Sequence, residues 1–337
     1  MRSHRPSRTS NAASVRTSRA TNPSLPRSPP CVLCRWVSDL DGMLGCMAGR
    51  YPRDPVLVEV PTNAVPAGPW SATSVEAFTG CPLKYWWSKV EKWETPSTLP
   101  LVVGRAVHNA LEMLLALPPA ERTRESGDPL LDAALDAELA LVADTSFHIG
   151  IDPEAVREAA RTAFAAYFDT EIPADIDVVG IEREVATDIA GLPFRGFIDR
   201  IALADAGLRV TDYKTGQAKP RYWWGYWRQQ LLYAHALTSA GEPIAEVELL
   251  FLTAPRAVTR PVYEAATRRA VNDLERAHVE RARMAEAAHW EARPSPLCGW
   301  CDFRAVCPTQ ARNAPPPGSQ ASDEALVRAG LRKRESS

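Results

Sequence analysis

Gly196-Phe197-Ile198-Asp199-Arg200-Ile201 and Val210-Thr211-Asp212-Tyr213-Lys214-Thr215-Gly216 set alternating apolar and charged residues on either side of an Ala204–Gly207 turn. Period-two alternation bounded by turn residues reads as a β-hairpin. With the turn centred on Asp205 and Ala206, facing residues have numbers that sum to 411, which puts Asp199 directly across from Asp212. Opposed side chains on one sheet face lie about 4.5–5.5 Å apart at Cβ. Lys214, two residues beyond Asp212, joins the same face. Two carboxylates so placed repel each other, and a divalent cation between them removes that cost; Mg²⁺ takes oxygen ligands, commonly one or two carboxylates, and keeps several waters. Such a centre can activate water and polarise a phosphoryl oxygen, and a lysine beside it can offset the charge that develops there. The plainer reading is a surface hairpin whose charges are solvated. The bulky flanks Ile198, Ile201 and Tyr213 argue for burial instead.

Outward from the hairpin, Asp177–Asp188, Leu192–Leu203 and Leu208–Lys214 read as three consecutive strands. A helix follows over roughly residues 226–239, then an apolar strand at Glu246–Leu252 and a long amphipathic helix over about 264–290. Upstream, Ser74–Val90 reads as two short helices meeting at Gly80-Cys81-Pro82. Val102–Leu117 is helical, with Val103, Val107, Leu111, Leu114 and Leu115 on one face and Pro118-Pro119 as its stop. Asp128-Pro129 and Asp152-Pro153 each put an N-cap residue before a first-turn proline, predicting two more helix starts. Helices, three meandering strands, helix, strand, helix: this order predicts an α/β fold with a mixed sheet flanked by helices. No Gly-rich phosphate loop is present, which speaks against ATP hydrolysis.

The chain has 337 residues, of which 45% are hydrophobic and 24% charged, enough for a large core and unlike a disordered chain. No run approaches 18 consecutive apolar residues, and the first 30 lack an apolar h-region, so neither a membrane span nor a secretory signal is expected and the location reads as cytoplasmic. The net charge of -2 hides an asymmetry: residues 1–30 hold six arginines and no acid, leaving -8 on the rest. A net-acidic body does not grip nucleic acid by its overall field, so binding needs a local basic patch. Residues 195–228 supply one, with seven basic and three acidic side chains. Residues 1–55 read as a disordered Arg/Ser/Pro-rich arm, 70–310 as one domain, and 311–337 as a flexible tail with a short helix near Asp323–Arg332. Met43 and Met47 leave a downstream start open.

Cys298-x2-Cys301-x5-Cys307 is a compact trio, and Cys81 is the one other cysteine outside the arm. Four thiolates suit a 4Fe–4S cluster or tetrahedral Zn²⁺, and His289 keeps a Cys3His zinc site open. Either would tie position 81 to position 298 and act as a staple. Cys31, Cys34 and Cys46 lie in the arm and read as incidental.

The hairpin residues resemble the catalytic core of the PD-(D/E)XK nuclease superfamily, nearest to its RecB-type exonuclease branch, with Gly-x-x-Asp-Arg followed by Asp-Tyr-Lys-Thr-Gly. Gly104-x-x-x-His108 resembles that branch's helical histidine motif, and Gln229-x-x-x-Tyr233 its Gln/Tyr helix. Cys81-Pro82 with the C-terminal trio resembles the cluster-bearing subgroup, which includes AddB nuclease domains and CRISPR-associated RecB-like exonucleases. The resemblance spans roughly residues 71–308. It implies a restriction-endonuclease-like fold and Mg²⁺ or Mn²⁺ held by His108, Asp199, Asp212 and the Tyr213 carbonyl. It implies Lys214 as catalytic lysine, Gln229 and Tyr233 positioning substrate or water, and a 4Fe–4S cluster on Cys81, Cys298, Cys301 and Cys307 in preference to zinc.

Tyr222-Trp223-Trp224-Gly225-Tyr226-Trp227 follows the catalytic strand. Aromatic clusters are usually core, but rings beside a cationic groove can stack bases. Arg221, Trp223, Trp224 and Arg228 are therefore candidate DNA contacts. The expected function is a metal-dependent DNA exonuclease acting on single-stranded ends in repair or recombination, with a helicase or recombination protein as partner and no membrane. The rivals are a non-catalytic DNA-binding subunit that supports a helicase, and a structure-specific endonuclease.

Overall fold

The computed structural model describes residues 54–62, 64–66, 68–145, 147–216, 220 and 223–334. The chain runs β1 (Val56–Glu59), α1 (Ala72–Gly80), α2 (Leu99–Ala116), α3 (Arg124–Thr145), α4 (Pro153–Thr170), β2 (Asp177–Ile189), β3 (Leu192–Ala204), β4 (Gly207–Lys214), α5 (Trp223–Ser239), β5 (Ile244–Phe251), β6 (Arg256–Pro261), α6 (Glu264–Glu286), β7 (His289–Ala292) and α7 (Gln320–Arg328). A short helix at Pro82–Tyr85 runs on into a wider turn at Trp86–Val90.

The five-stranded sheet has the order β2-β3-β4-β5-β6. β2, β3 and β4 form the antiparallel meander, β4 and β5 pair in parallel across α5, and β6 returns antiparallel. The expected mixed sheet flanked by helices is what forms. Strand residues alternate between two cores, one on each face. On one face α2, α3 and α4 pack with Tyr213, Leu250 and Leu252. On the other α1, α5 and α6 pack with Ile198, Val210, Leu249 and Phe251. α2 is long and apolar enough to span a membrane by length and composition, but its Val102, Val103, Val107, Leu111 and Leu114 fill the first of these cores.

Four boundaries depart from the sequence expectations. α3 begins at Arg124, not beside Asp128. Thr123 starts it, its hydroxyl accepting from Ser126 N–H at 3.3 Å, and Pro129 sits inside. A proline there forgoes the ladder bond to the Glu125 carbonyl and crowds that oxygen. β6 was not anticipated, and α6 stops at Glu286 so that His289–Ala292 can pair with Val56–Glu59; the folded body therefore begins before residue 70. Residues 311–334 are no loose tail: α7 buries Leu326, Leu331 follows it into the core, and Arg332–Lys333 pair with Trp93–Glu94. Apolar residues on one turn of an amphipathic helix supply the driving force for that docking. The remainder of the expected arm and residues 335–337 lie outside the described residues.

Candidate active site

The β3–β4 register is the one predicted: Arg200 faces Thr211 and Ile201 faces Val210. The ladder ends at Arg200–Thr211, and Asp199 and Asp212 stand one step beyond it. There the Asp199 carboxylate replaces the next rung, its Oδ2 accepting the Tyr213 N–H at 2.9 Å. Asp212 is buried and held from two sides: Gln229 Nε2 donates to its Oδ1 at 3.1 Å, and Lys214 Nζ lies 2.6 Å from its Oδ2. The Lys214 ammonium also lies 4.6 Å from the centre of the Tyr226 ring.

α2 brings His108 to the same place. Gly104 makes the approach possible, since a Cβ there would come 3.2 Å from Thr215 Oγ1. His108 Nε2 is 3.0 Å from the Tyr213 carbonyl oxygen and Nδ1 is 3.4 Å from Asp199 Oδ2. A hydrogen on Nε2 donated to that carbonyl leaves the Nδ1 lone pair aimed at the carboxylates, the arrangement in which a second partner fixes the tautomer of a ligating histidine. The Tyr213 carbonyl, expected as a metal ligand, thus also anchors His108.

Gln229 and Tyr233 lie one turn apart on α5. Tyr233 packs over Gly196, where a Cβ would meet its ring at 2.5 Å, so the first residue of Gly-x-x-Asp leaves room for the aromatic. Together with Trp70, Phe197 and Arg195 these residues line a groove of about 500 Å³ beside the carboxylates.

Glu182 completes the cluster and was not anticipated. It stands across β2 from Asp199, at a point where the backbone turns left-handed (φ 44°). Its carboxylate, the Asp199 carboxylate and a His108 nitrogen lie within 4.8 Å of one another. The signal was available: extending the Ile189–Leu192 turn register places Glu182 opposite Asp199.

The electrostatics show a surplus of negative charge. Burial, reinforced by the Asp212 charge, pushes Asp199 up to about 7. Burial and then the Asp199 charge raise Glu182. Burial holds His108 below its usual value, against the pull of Asp212. Burial would lower Lys214, but the Asp212 carboxylate outweighs it and the net shift is upward. Three carboxylates and one neutral imidazole form a hard, oxygen-rich donor set that fits Mg²⁺ or Mn²⁺, with the Lys214 ammonium beside it.

The expected DNA contacts divide differently. Arg221 lies outside the described residues. Trp223 is buried, one face stacked on Phe251 at 5.5 Å and Arg256 at 5.6 Å from its ring. Trp224 donates its indole N–H to Asp273 at 3.0 Å and carries Arg269 on its face at 4.0 Å. Arg228 is 5% exposed and ion-paired with Glu76 and Asp273. Trp223 and Arg228 are thus engaged inward, while Trp224 stays half-exposed.

Away from the carboxylates, Cys81 lies close enough to Cys301 and Cys307 for its charge to be felt by both. Burial pushes the Cys301 thiol up to about 11, with Cys81 and Cys307 among the neighbours that raise it. Cys307 in turn feels Cys81 and Cys298. The Ser295 N–H points at Cys298 Sγ at 3.2 Å, and Trp87 stacks on Phe303 at 5.2 Å across the junction. His289 lies on β7 with Nδ1 2.6 Å from the Ala287 carbonyl oxygen.

The family model described as PD-(D/E)XK nuclease superfamily matches residues 69–308. Among solved structures, the chain is similar to a Eubacterium rectale protein named "Putative exonuclease", at 15% identity and a TM-score of 0.46, covering 70% of this chain and 88% of that one. It is also similar to the protein SSO0001, at 15% identity and a TM-score of 0.32, covering 62% of this chain and 95% of that one. No curated protein matches.

Proposed function

The chain belongs to the PD-(D/E)XK nuclease superfamily, and on that premise we propose that it is a Mg²⁺- or Mn²⁺-dependent exonuclease that hydrolyses phosphodiester bonds at single-stranded DNA ends. The setting would be cytoplasmic repair or recombination, beside a helicase or recombination protein. The observation that carries the reading is the convergence of His108, Glu182, Asp199, Asp212 and Lys214 at the end of one hairpin. The exonuclease and single-strand part rests on the Gln229-x-x-x-Tyr233 helix and the likeness to the RecB-type branch.

His108, Glu182, Asp199 and Asp212 would hold the cation. When bound, it supplies polarisation of a phosphoryl oxygen and a lowered pKa for water. Lys214, kept protonated by Asp212, offsets negative charge developing on the scissile phosphate. Gln229 keeps Asp212 in the orientation that leaves Oδ2 toward Lys214. Tyr233, with its hydroxyl kept protonated by burial, stays a hydrogen-bond donor beside the groove.

A 4Fe–4S cluster on Cys81, Cys298, Cys301 and Cys307 is part of the proposal. Its support is the nearness of Cys81 to Cys301 and Cys307, and of Cys298 to Cys307, with an N–H aimed at the Cys298 sulfur. Anaerobically purified protein should contain iron and sulfide; one zinc with no iron would replace the cluster with a zinc staple.

The deciding assay uses end-labelled linear and circular single strands with Mg²⁺, Mn²⁺ or EDTA. Metal-dependent loss of the linear strand with the circle spared supports the proposal. Cleavage of the circle makes the enzyme an endonuclease. Binding with no cleavage under any metal makes it a non-catalytic subunit.

A further inference from the structure

Beyond the catalytic cluster, the sheet carries a row of positive charge toward its edge. Lys214 pairs with Phe251 across β4–β5, and Phe251 pairs with Arg256 across β5–β6. The three residues therefore stand side by side on neighbouring strands, at the end of the sheet that holds the carboxylates. Two strand spacings put Arg256 about 10 Å from Lys214 at Cα. At a rise of about 3.4 Å per stacked nucleotide, that is a span of about three nucleotides.

Arg256 is ordered by an aromatic platform. Its guanidinium lies 5.6 Å from the Trp223 ring centre, and Trp223 is itself clamped on Phe251. Arg269 on α6 lies 4.0 Å from the Trp224 ring centre in the same way. Among the described residues most arginines are ion-paired; neighbouring Arg268, for example, meets Glu264 at 3.2 Å. Among the described residues no carboxylate pairs with Arg256 or Arg269, and both are exposed. A guanidinium held against an indole keeps its N–H edge outward, and that planar fork matches a phosphate.

We infer that Arg256 and Arg269, seated on Trp223 and Trp224, form a phosphate rail that grips the polynucleotide backbone next to the scissile bond. This rests on the nucleic-acid reading above and gives the Trp run a role other than base stacking. The contact is to phosphates, so it is blind to base sequence and sensitive to salt. Cation–π seating also explains why the rail is arginine: lysine would keep the charge but lose the planar fork.

The test measures binding of a labelled oligothymidylate to the full-length protein in EDTA, from 50 to 300 mM salt, beside the Mg²⁺ cleavage assay. Each lost phosphate contact should reduce the slope of log K against log salt by about 0.7 and weaken binding about fivefold at 0.1 M salt. Arg256→Gln and Arg269→Gln should each show that loss, and Arg256→Lys should recover part of it. A wild-type slope and affinity in both Gln variants overturns the rail, whatever the cleavage assay shows. Slope loss in the variants with no cleavage by the wild type keeps the rail and removes the nuclease reading. A Gln variant that fails to fold is replaced by the Ala variant at the same position, whose wild-type slope and affinity would equally count against the rail. Absence of any binding by the wild type overturns it as well.

Discussion

Asp199 Oδ2 accepts the backbone N–H of Tyr213 at 2.9 Å, so a carboxylate takes the place of the next rung in the β3–β4 ladder. The side chain that closes the ladder is the one that faces His108 and Glu182. Fold and site are therefore coupled at this residue.

Asp199 holds its proton in the folded state up to about pH 7, against an ordinary 3.8. Between those values the folded protein binds more protons than the unfolded chain. The stability of the metal-free protein should therefore fall as pH rises across that window. Asp199→Asn should flatten this part of the profile. Melting midpoints in EDTA from pH 4 to 8 check it, and a wild-type midpoint that rises steadily to pH 7 with no difference from the variant contradicts it.

Gly196→Ala should destabilise the protein by about 1–3 kcal/mol, because a Cβ has no room under the Tyr233 ring. Gly196→Ala combined with Tyr233→Ala should regain part of that stability but not the cleavage activity. Chemical denaturation of the single and double variants reads the coupling; simple additivity would show that the ring moves aside without cost.

Arg200 is 1% exposed and holds Glu171 at 2.6 Å, Thr211 at 3.0 Å and Glu248 at 3.2 Å. Its guanidinium also lies 5.6 Å from the Tyr213 ring. Arg200→Met leaves Glu171 without its cation and Glu248 with Arg209 alone at 3.5 Å, and breaking a buried pair on one side typically costs about 3–5 kcal/mol. The variant should lose that stability in urea titration, and Arg200→Lys should restore less than half because it lacks the fork that reaches both glutamates. A loss under 1 kcal/mol would mean the network adds nothing net.

How far the sequence carried this picture follows from range. The hairpin was legible because period two and one turn determine every pairing, and Arg200–Thr211 is the predicted rung. The same reasoning applied to the turn at Ala190-Gly191 reaches Glu182. In Ile181-Glu182-Arg183-Glu184-Val185, however, three charged residues in a row hide which one turns inward, and the left-handed backbone at Glu182 breaks the alternation. The inward engagement of Arg228 and of the Trp223 and Trp224 indoles was not legible because their partners, Glu76, Phe251, Asp273 and Arg269, come from distant segments that local pattern does not join. The docking of α7 and the pairing of β1 with β7 are long-range in the same sense.

The two aspartates should part company when each is neutralised. Asp212 is the counter-charge of Lys214, at 2.6 Å, and both are largely buried. Asp212→Asn therefore leaves an ammonium in low dielectric without its partner, a loss expected to lower the metal-free melting midpoint. Asp199 has no cation paired against it: burial and the Asp212 charge outweigh the pull of Lys214 and Arg200, and its own charge in turn raises Glu182, so Asp199→Asn should leave the metal-free midpoint at pH 8 unchanged or higher. With Mg²⁺ or Mn²⁺ both variants should lose cleavage and also the rise in melting midpoint that metal gives the wild type, because each removes one ligand of the same ion. Lys214→Ala should behave in a third way, keeping the metal-induced rise while turnover drops by about two to three orders of magnitude. Scanning the four proteins with and without Mn²⁺ separates ligands from the lysine. Full metal-dependent cleavage by Asp212→Asn would remove the hairpin from the chemistry and leave the chain as a binding subunit.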